Sequence, residues 1–177
     1  FVYPDITSHI LDTDYFVDRA ILAPTNSNVD IINDTILNSF SNKNAITYFS
    51  ADSIIDQKEN DQAHLYPIEF LNTIKINGLS PHKLQLKIGT PIMLLRNLNP
   101  AEGLCNGTRL ICYKFYRHTI EAKIITGKYK GTRVLIPRIT LTPTTTNLPF
   151  TIQRRQFPVS LAFAMTINKS QGQSLSR

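Results

Sequence analysis

Ala20-Ile21-Leu22-Ala23-Pro24-Thr25-Asn26-Ser27-Asn28-Val29 is the stretch that decides the fold class. A short apolar run stopping at a proline reads as a buried strand, and Thr25 or Ser27 supplies the hydroxyl that caps a helix. From Val29 onward, Ile32, Ile36, Leu37 and Phe40 recur at the spacing of one helical face. Ala45-Ile46-Thr47-Tyr48-Phe49-Ser50 follows an Asn-Lys-Asn turn and is rich in strand formers. Strand, helix and strand in succession predict a βαβ unit with parallel strands, and hence an α/β fold.

The far end of the chain predicts a return to the same layer. Pro158-Val159-Ser160-Leu161-Ala162-Phe163-Ala164 reads as one strand buried on both faces, opening into the polar run Thr166 to Leu175, a loop with a helix after it. In open α/β sheets, ligands bind at that carboxyl edge. Between the two ends the period changes at Pro81. Leu84, Leu86 and Ile88 alternate with polar residues, and short strands are predicted over 109–116, 119–126 and 132–136. Asn106-Gly107 and the Gly127…Gly131 bracket punctuate them, as in a small antiparallel barrel. Residues 1–80 and 157–177 are therefore assigned to the α/β part, and 83–156 to an inserted small β barrel. Asp52, Asp56, Glu59 and Asp61 predict a solvated acidic loop, and 140–146 a loop or edge strand.

The chain has 177 residues, 42% hydrophobic and 18% charged, enough to bury a core and unlike a disordered tail. No apolar run reaches the ~18 residues of a membrane-spanning helix, and no membrane partner is expected. The N-terminal residues carry no signal-peptide pattern, and both ends read as mid-domain sequence, so a longer parent polypeptide is expected. Cys105 and Cys112 form no Cys-x-x-Cys pair, and the histidines are scattered, so no metal site is expected. Charge is polarised. Residues 1–102 hold 7 Lys and Arg against 12 Asp and Glu, whereas 103–177 hold 12 against Glu121 alone, a net of +11. That imbalance points to a polyanionic partner, nucleic acid first.

No complete active site is visible. Gly127-Lys128 lacks the earlier glycine of a phosphate loop, because Ala122 stands there and Tyr129 follows the lysine. The strongest local signal is a cluster of hydroxyls and amides around one cation: Thr166, Asn168, Lys169, Ser170 and Gln171. Such groups fit phosphate oxygens without reading base identity.

Ala164-Met165-Thr166-Ile167-Asn168-Lys169-Ser170-Gln171-Gly172-Gln173-Ser174-Leu175 resembles motif V of the petite-integration-frequency (PIF) DNA helicases, which are superfamily-one, RecD-like enzymes close to the Helitron transposon helicases. Gly89-Thr90-Pro91-Ile92-Met93-Leu94-Leu95-Arg96-Asn97-Leu98, with Gly103-Leu104-Cys105-Asn106-Gly107-Thr108-Arg109-Leu110, resembles the opening of that family's inserted barrel. Leu22-Ala23-Pro24-Thr25-Asn26, with Val29 and Asn33, resembles its motif IV region. The resemblance implies part of a second RecA-like (P-loop NTPase-type) motor domain carrying a Src-homology-three-like barrel. It implies an ATP-dependent, 5′-to-3′ DNA helicase using Mg²⁺ and ATP in the full-length enzyme, with a missing N-terminal RecA-like domain of the same polypeptide. By the same resemblance, Thr166, Asn168, Lys169, Ser170, Thr25 and Asn26 contact DNA, while Gln171 and Gly172 face the nucleotide cleft. Arg154 and Arg155 are added as DNA-binding residues from the basic half.

The departures shape the expectation. Many relatives carry His at the position of Asn168, and the Walker A, Walker B and motif VI segments are not in this sequence. The isolated chain is therefore expected to be a monomer that binds single-stranded DNA or forks weakly, binds no cofactor and hydrolyses no ATP. The parent is expected to act in recombination, repair, telomere maintenance or transposition, in the nucleus or alternatively the mitochondrion. The rival readings are a non-enzymatic nucleic-acid-binding module, a decayed transposon-derived fragment, or a protein–protein adaptor.

Overall fold

A computed structural model of the chain describes residues 2–9, 12–40, 45–55, 66–143 and 148–170. Helix α1 (Thr13–Val17) starts at Asp12, whose carboxylate accepts from the backbone N–H groups of Asp14 and Tyr15. Strand β1 (Ile21–Ala23) leads into α2 (Asn26–Ser39), with Thr25 as N-cap: its Oγ1 accepts from Asn28 N–H at 3.3 Å. The expected apolar face holds, with Leu37 and Phe40 buried and Val29, Ile32 and Ile36 half-buried. Asn33 joins that face. It is buried, and its side chain accepts from Ala164 N–H at 2.8 Å and donates to Ala164 O at 3.3 Å. An amide buried on a helix thus satisfies a backbone pair on the strand it covers.

The next strand departs from the βαβ expectation. Strand β2 (Ile46–Phe49) pairs antiparallel with β4 (Lys83–Leu86), not parallel with β1. The reason lies in burial: Tyr48 sits in the core of the small β body with Leu84, Leu86 and Phe157, and its hydroxyl donates to Tyr116 O at 2.7 Å. Strand β3 (Ala51–Ile55) occupies the start of the stretch expected to be a solvated acidic loop, and Asp52 upon it is buried. Asp56, Glu59 and Asp61 lie outside the described residues. Helix α3 spans Ile68–Thr73.

The remaining strands are β5 (Pro91–Leu94), β6 (Arg109–Phe115), β7 (Thr119–Ile124), β8 (Arg133–Pro137), β9 (Ile139–Leu141), β10 (Thr151–Gln156), β11 (Val159–Leu161) and β12 (Ala164–Thr166). They build an antiparallel five-stranded sheet β11-β5-β6-β7-β8 and a three-stranded sheet β3-β10-β9. Among the described residues these sheets stay open, so no closed barrel forms. The inward residues of β4 to β8 still share one core, with Ile92, Leu110, Ile120, Ala122 and Ile136 all fully buried. The expected single strand over 158–164 is two. Strand β11 pairs antiparallel with β5, the chain turns at Ala162-Phe163, and β12 pairs parallel with β1. The described residues form a mixed α/β fold whose parallel part is that ladder.

Two buried cations fasten the small β body to the α/β part. Lys87 donates through Nζ to the carbonyls of Leu37 and Phe40, both at 2.8 Å, closing the C-terminus of α2. A cation there meets the negative end of the helix dipole. Arg109, fully buried on β6, donates to the carbonyls of Val17 and Arg19 ahead of β1 and of Ala162 between β11 and β12.

Candidate nucleic-acid interface

Because β1 and β12 are parallel, with Ala23 opposite Thr166, their carboxyl ends emerge side by side. Thr25 and Asn26 follow the first strand, and Asn168, Lys169 and Ser170 the second, on the short helix α4 (Ile167–Ser170), which packs against both strands. The structure therefore gathers Thr25, Asn26, Thr166, Asn168, Lys169 and Ser170 at one sheet edge. Their side chains are partly committed. Thr25 caps α2, Asn26 donates to Asn77 Oδ1 at 3.0 Å, and Ser170 Oγ donates back to Ile167 O at 2.6 Å. Asn168 and Lys169 are exposed. Gln171 and Gly172 lie outside the described residues.

Lys169 stands between two cavities. One, of about 740 Å³, opens between α4 and the small β body, lined by Asn106, Lys128, Tyr129, Lys130, Asn168 and Lys169. The other, of about 450 Å³, lies along α2 and includes Asn26, Asp30, Asn77, Thr166 and Lys169 in its wall. Partial desolvation between them holds the Lys169 ammonium below the usual lysine range, with Asp30 pulling the other way.

The first cavity is cationic. Three lysines face it against one lining carboxylate, Asp18. Lys128 and Lys130 ride on the hairpin between β7 and β8, whose glycines Gly127 and Gly131 have φ of +76° and +93°. Lys130 is held by Asp14 at 2.9 Å, which raises its pKa, and Lys128 lies over the Tyr129 ring at 5.6 Å. Tyr129 itself packs onto Gly103 so closely that a β-carbon there would lie 2.4 Å from its Cδ2. A phosphate-sized chain passing through this cavity meets amides, hydroxyls, ammonium groups and one aromatic ring.

Sequence reasoning missed this second wall. Lys128 and Lys130 read as a hairpin turn, although two cations flanking a tyrosine between two glycines was the available signal. It also misplaced Arg154. The alternation of β10 turns that side chain inward, where it is buried against Asp52 and hydrogen-bonds the carbonyls of Ser80 and Leu71. With its guanidinium so occupied, Arg154 does not meet solvent phosphate. Arg155 points the other way and is exposed, on the sheet β3-β10-β9 and outside both cavities. Among the described residues no group of three His, Cys, Asp or Glu side chains is placed to hold a metal ion.

Comparison with known proteins finds one family among the similar sequences and folds. Residues 69–115 match the family model for the 2B domain of the DNA helicase Pif1. The chain is 38% identical over 96 residues to the human ATP-dependent DNA helicase PIF1, covering 52% of this chain and 14% of that one. It is 32% identical over 105 residues to the ATP-dependent DNA helicase Pif1 of Bdellovibrio bacteriovorus, covering 59% of this chain and 23% of that one. The chain thus spans less than a quarter of the curated relatives it matches here. Among solved structures, the Pif1 helicase from Candida albicans superposes with a TM-score of 0.62 at 22% identity, covering 98% of this chain and 45% of that chain. Bacteroides Pif1 bound to single-stranded DNA superposes with a TM-score of 0.57 at 20% identity, covering 87% of this chain and 32% of that chain.

Proposed function

This chain is a relative of the C-terminal part of the PIF-type DNA helicases, and from that premise we propose that it is the single-strand-gripping portion of an ATP-dependent DNA helicase. In this reading β1, α2, β12 and α4 belong to the second RecA-like motor domain, and the small β body is its Src-homology-three-like insertion. The full-length enzyme uses ATP and Mg²⁺ and moves 5′ to 3′ on single-stranded DNA or forks, with a nuclear or mitochondrial role in recombination, repair, telomere maintenance or transposition. The observation that carries the reading is the first cavity. Asn168 and Lys169 of the motif V-like segment face Lys128 and Lys130 of the small β body across it.

The residues of this chain act on the DNA backbone. Lys169, Lys128 and Lys130 neutralise phosphates, Asn168 and Asn106 offer amide donors, and Tyr129 gives a base a face to stack upon. Because β12, which leads directly into α4, is hydrogen-bonded to β1, any motion of the α/β part carries Lys169 with it. When bound, ATP supplies the free energy for movement, and the phosphate loop and arginine finger that act on it belong to other parts of the polypeptide.

The test is strand separation by the full-length gene product. A duplex with a 5′ single-stranded tail should be unwound in the presence of ATP and Mg²⁺, and a 3′-tailed duplex should not. Failure to unwind either substrate, with ATP turnover indifferent to DNA, would overturn the helicase reading.

A further inference from the structure

The outer face of β6, β7 and β8 carries a cluster that neither cavity uses. A β-bulge interrupts the pairing of β6 with β7: Cys112 lies opposite Ala122 and Lys114 opposite Glu121, leaving Tyr113 as the extra residue. Bulges re-aim side chains, and here the bulged tyrosine is exposed rather than packed in the core. The Arg133 guanidinium lies over its ring, 3.9 Å from the centroid. Three residues further on, just past the end of β6, Tyr116 is also exposed, with the Lys114 ammonium 5.2 Å from its centroid. Glu121 joins the two halves, accepting from Arg133 Nη1 at 3.3 Å and from the Tyr116 hydroxyl at 3.4 Å.

Three features separate this cluster from an ordinary solvated sheet face. Two large rings, three residues apart in sequence, stand in solvent and are held by cations. The one carboxylate of residues 103–177, Glu121, is spent on internal organisation, so Lys114, Lys123 and Arg133 leave the strip net positive. Leu135, opposite Glu121 on β8, is 60% exposed, which adds apolar surface where a protein avoiding contact would place a polar side chain.

We infer that this strip is a second nucleic-acid surface, taking an unpaired strand whose bases stack on Tyr113, Tyr116 and the outer face of the Arg133 guanidinium. Charge complementarity selects a polyanion. The exposed rings select one with accessible base faces, since backbone contact alone gives no use to them. None of Tyr113, Lys114, Tyr116 or Arg133 lines the cavity beside Lys169, so the strip engages a strand, or a part of one, other than that held at the motif V-like edge.

The experiment uses the 177-residue chain and a 20-nucleotide oligothymidylate carrying 5-iodouracil, irradiated and mapped by peptide mass spectrometry, alongside affinities for normal and abasic 20-mers. Adducts are expected on Tyr113 or Tyr116. The double variant Tyr113→Ala/Tyr116→Ala should lose about fivefold or more in affinity for the normal 20-mer. It should lose little for the abasic one, and Tyr113→Phe/Tyr116→Phe should bind like the parent and guards against misfolding. Adducts confined to Tyr129, or equal affinity of parent and Ala variant for the normal 20-mer, would overturn the inference. Equal affinity of the parent for normal and abasic strands would do so too. Lys169→Ala, measured in parallel, reports on the motif V-like edge alone, so either surface can fail without the other.

Discussion

Arg154 and Asp52 form a bidentate ion pair across two strands: Nη2 donates to Oδ2 at 2.7 Å and Nε to Oδ1 at 2.9 Å, with both side chains withdrawn from solvent. Strand register makes the pair, because Arg154 of β10 lies directly opposite Asp52 of β3. The same guanidinium reaches the carbonyls of Leu71 at the end of α3 and Ser80 ahead of β4. One side chain thus ties together three segments that converge on the small β body.

Removing one member of that pair leaves an uncompensated buried charge. Arg154→Ala should lower unfolding free energy by about 3–5 kcal/mol, whereas Arg155→Ala on the exposed side of the same strand should change it by less than about 0.5 kcal/mol. Urea denaturation of the two variants checks this. Equal effects would mean that Arg154 is not the buried member of β10.

Lys87 makes a second prediction. Its ammonium closes the last turn of α2 from the small β body, so Lys87→Met should destabilise by about 2 kcal/mol or more while retaining much of the apolar stem. Hydrogen exchange should show faster opening at the C-terminal turn of α2 than at its Thr25-capped start. Uniform opening along the helix would contradict the role assigned to Lys87.

Gly103 has φ of +79°, and an added β-carbon would press into the Tyr129 ring. Gly103→Ala should cost about 1–2 kcal/mol from the left-handed backbone alone, and should displace Tyr129 from the cavity wall. Weaker oligonucleotide binding together with reduced stability is the expected outcome. Unchanged values for both would show that the turn relaxes freely.

The pH dependence of DNA binding follows from Lys169. Partial desolvation in the cavity wall depresses its pKa, so its cation is lost as pH rises through a range below that of an ordinary lysine, whereas Lys130, raised by Asp14, stays charged there. The difference in affinity between the parent and Lys169→Ala should therefore be full at neutral pH and vanish on the alkaline side first. A difference that persists until ordinary lysines titrate would contradict the depressed value.

Much of the α/β part was legible because its signals are local. The recurrence from Val29 to Phe40 names the buried face of α2, and the hydroxyl and amide cluster from Thr166 to Ser170 marks the sheet edge. What failed was non-local. The strand over 46–49 has the composition of any strand, and only the burial of Tyr48 with Leu84 and Leu86 chooses its antiparallel partner. Asp52 and Arg154 each read as surface charges, since a buried ion pair between residues 102 positions apart depends on a register that no local pattern encodes. The lysine-bearing hairpin read as a turn because its partner across the cavity, Lys169, is distant in sequence and near in space.

A joint grip on one strand by Lys128 and Lys169, which line the same cavity, is the core of the proposed single-strand binding. It is tested most directly by the salt dependence of single-stranded DNA binding, comparing the parent chain with Lys128→Ala/Lys169→Ala. Each phosphate contact on a single strand contributes roughly 0.7 to the slope of log affinity against log salt, so the double variant should lose about 1.4 from it, on every sequence tried. A slope equal to the parent's would contradict the claim.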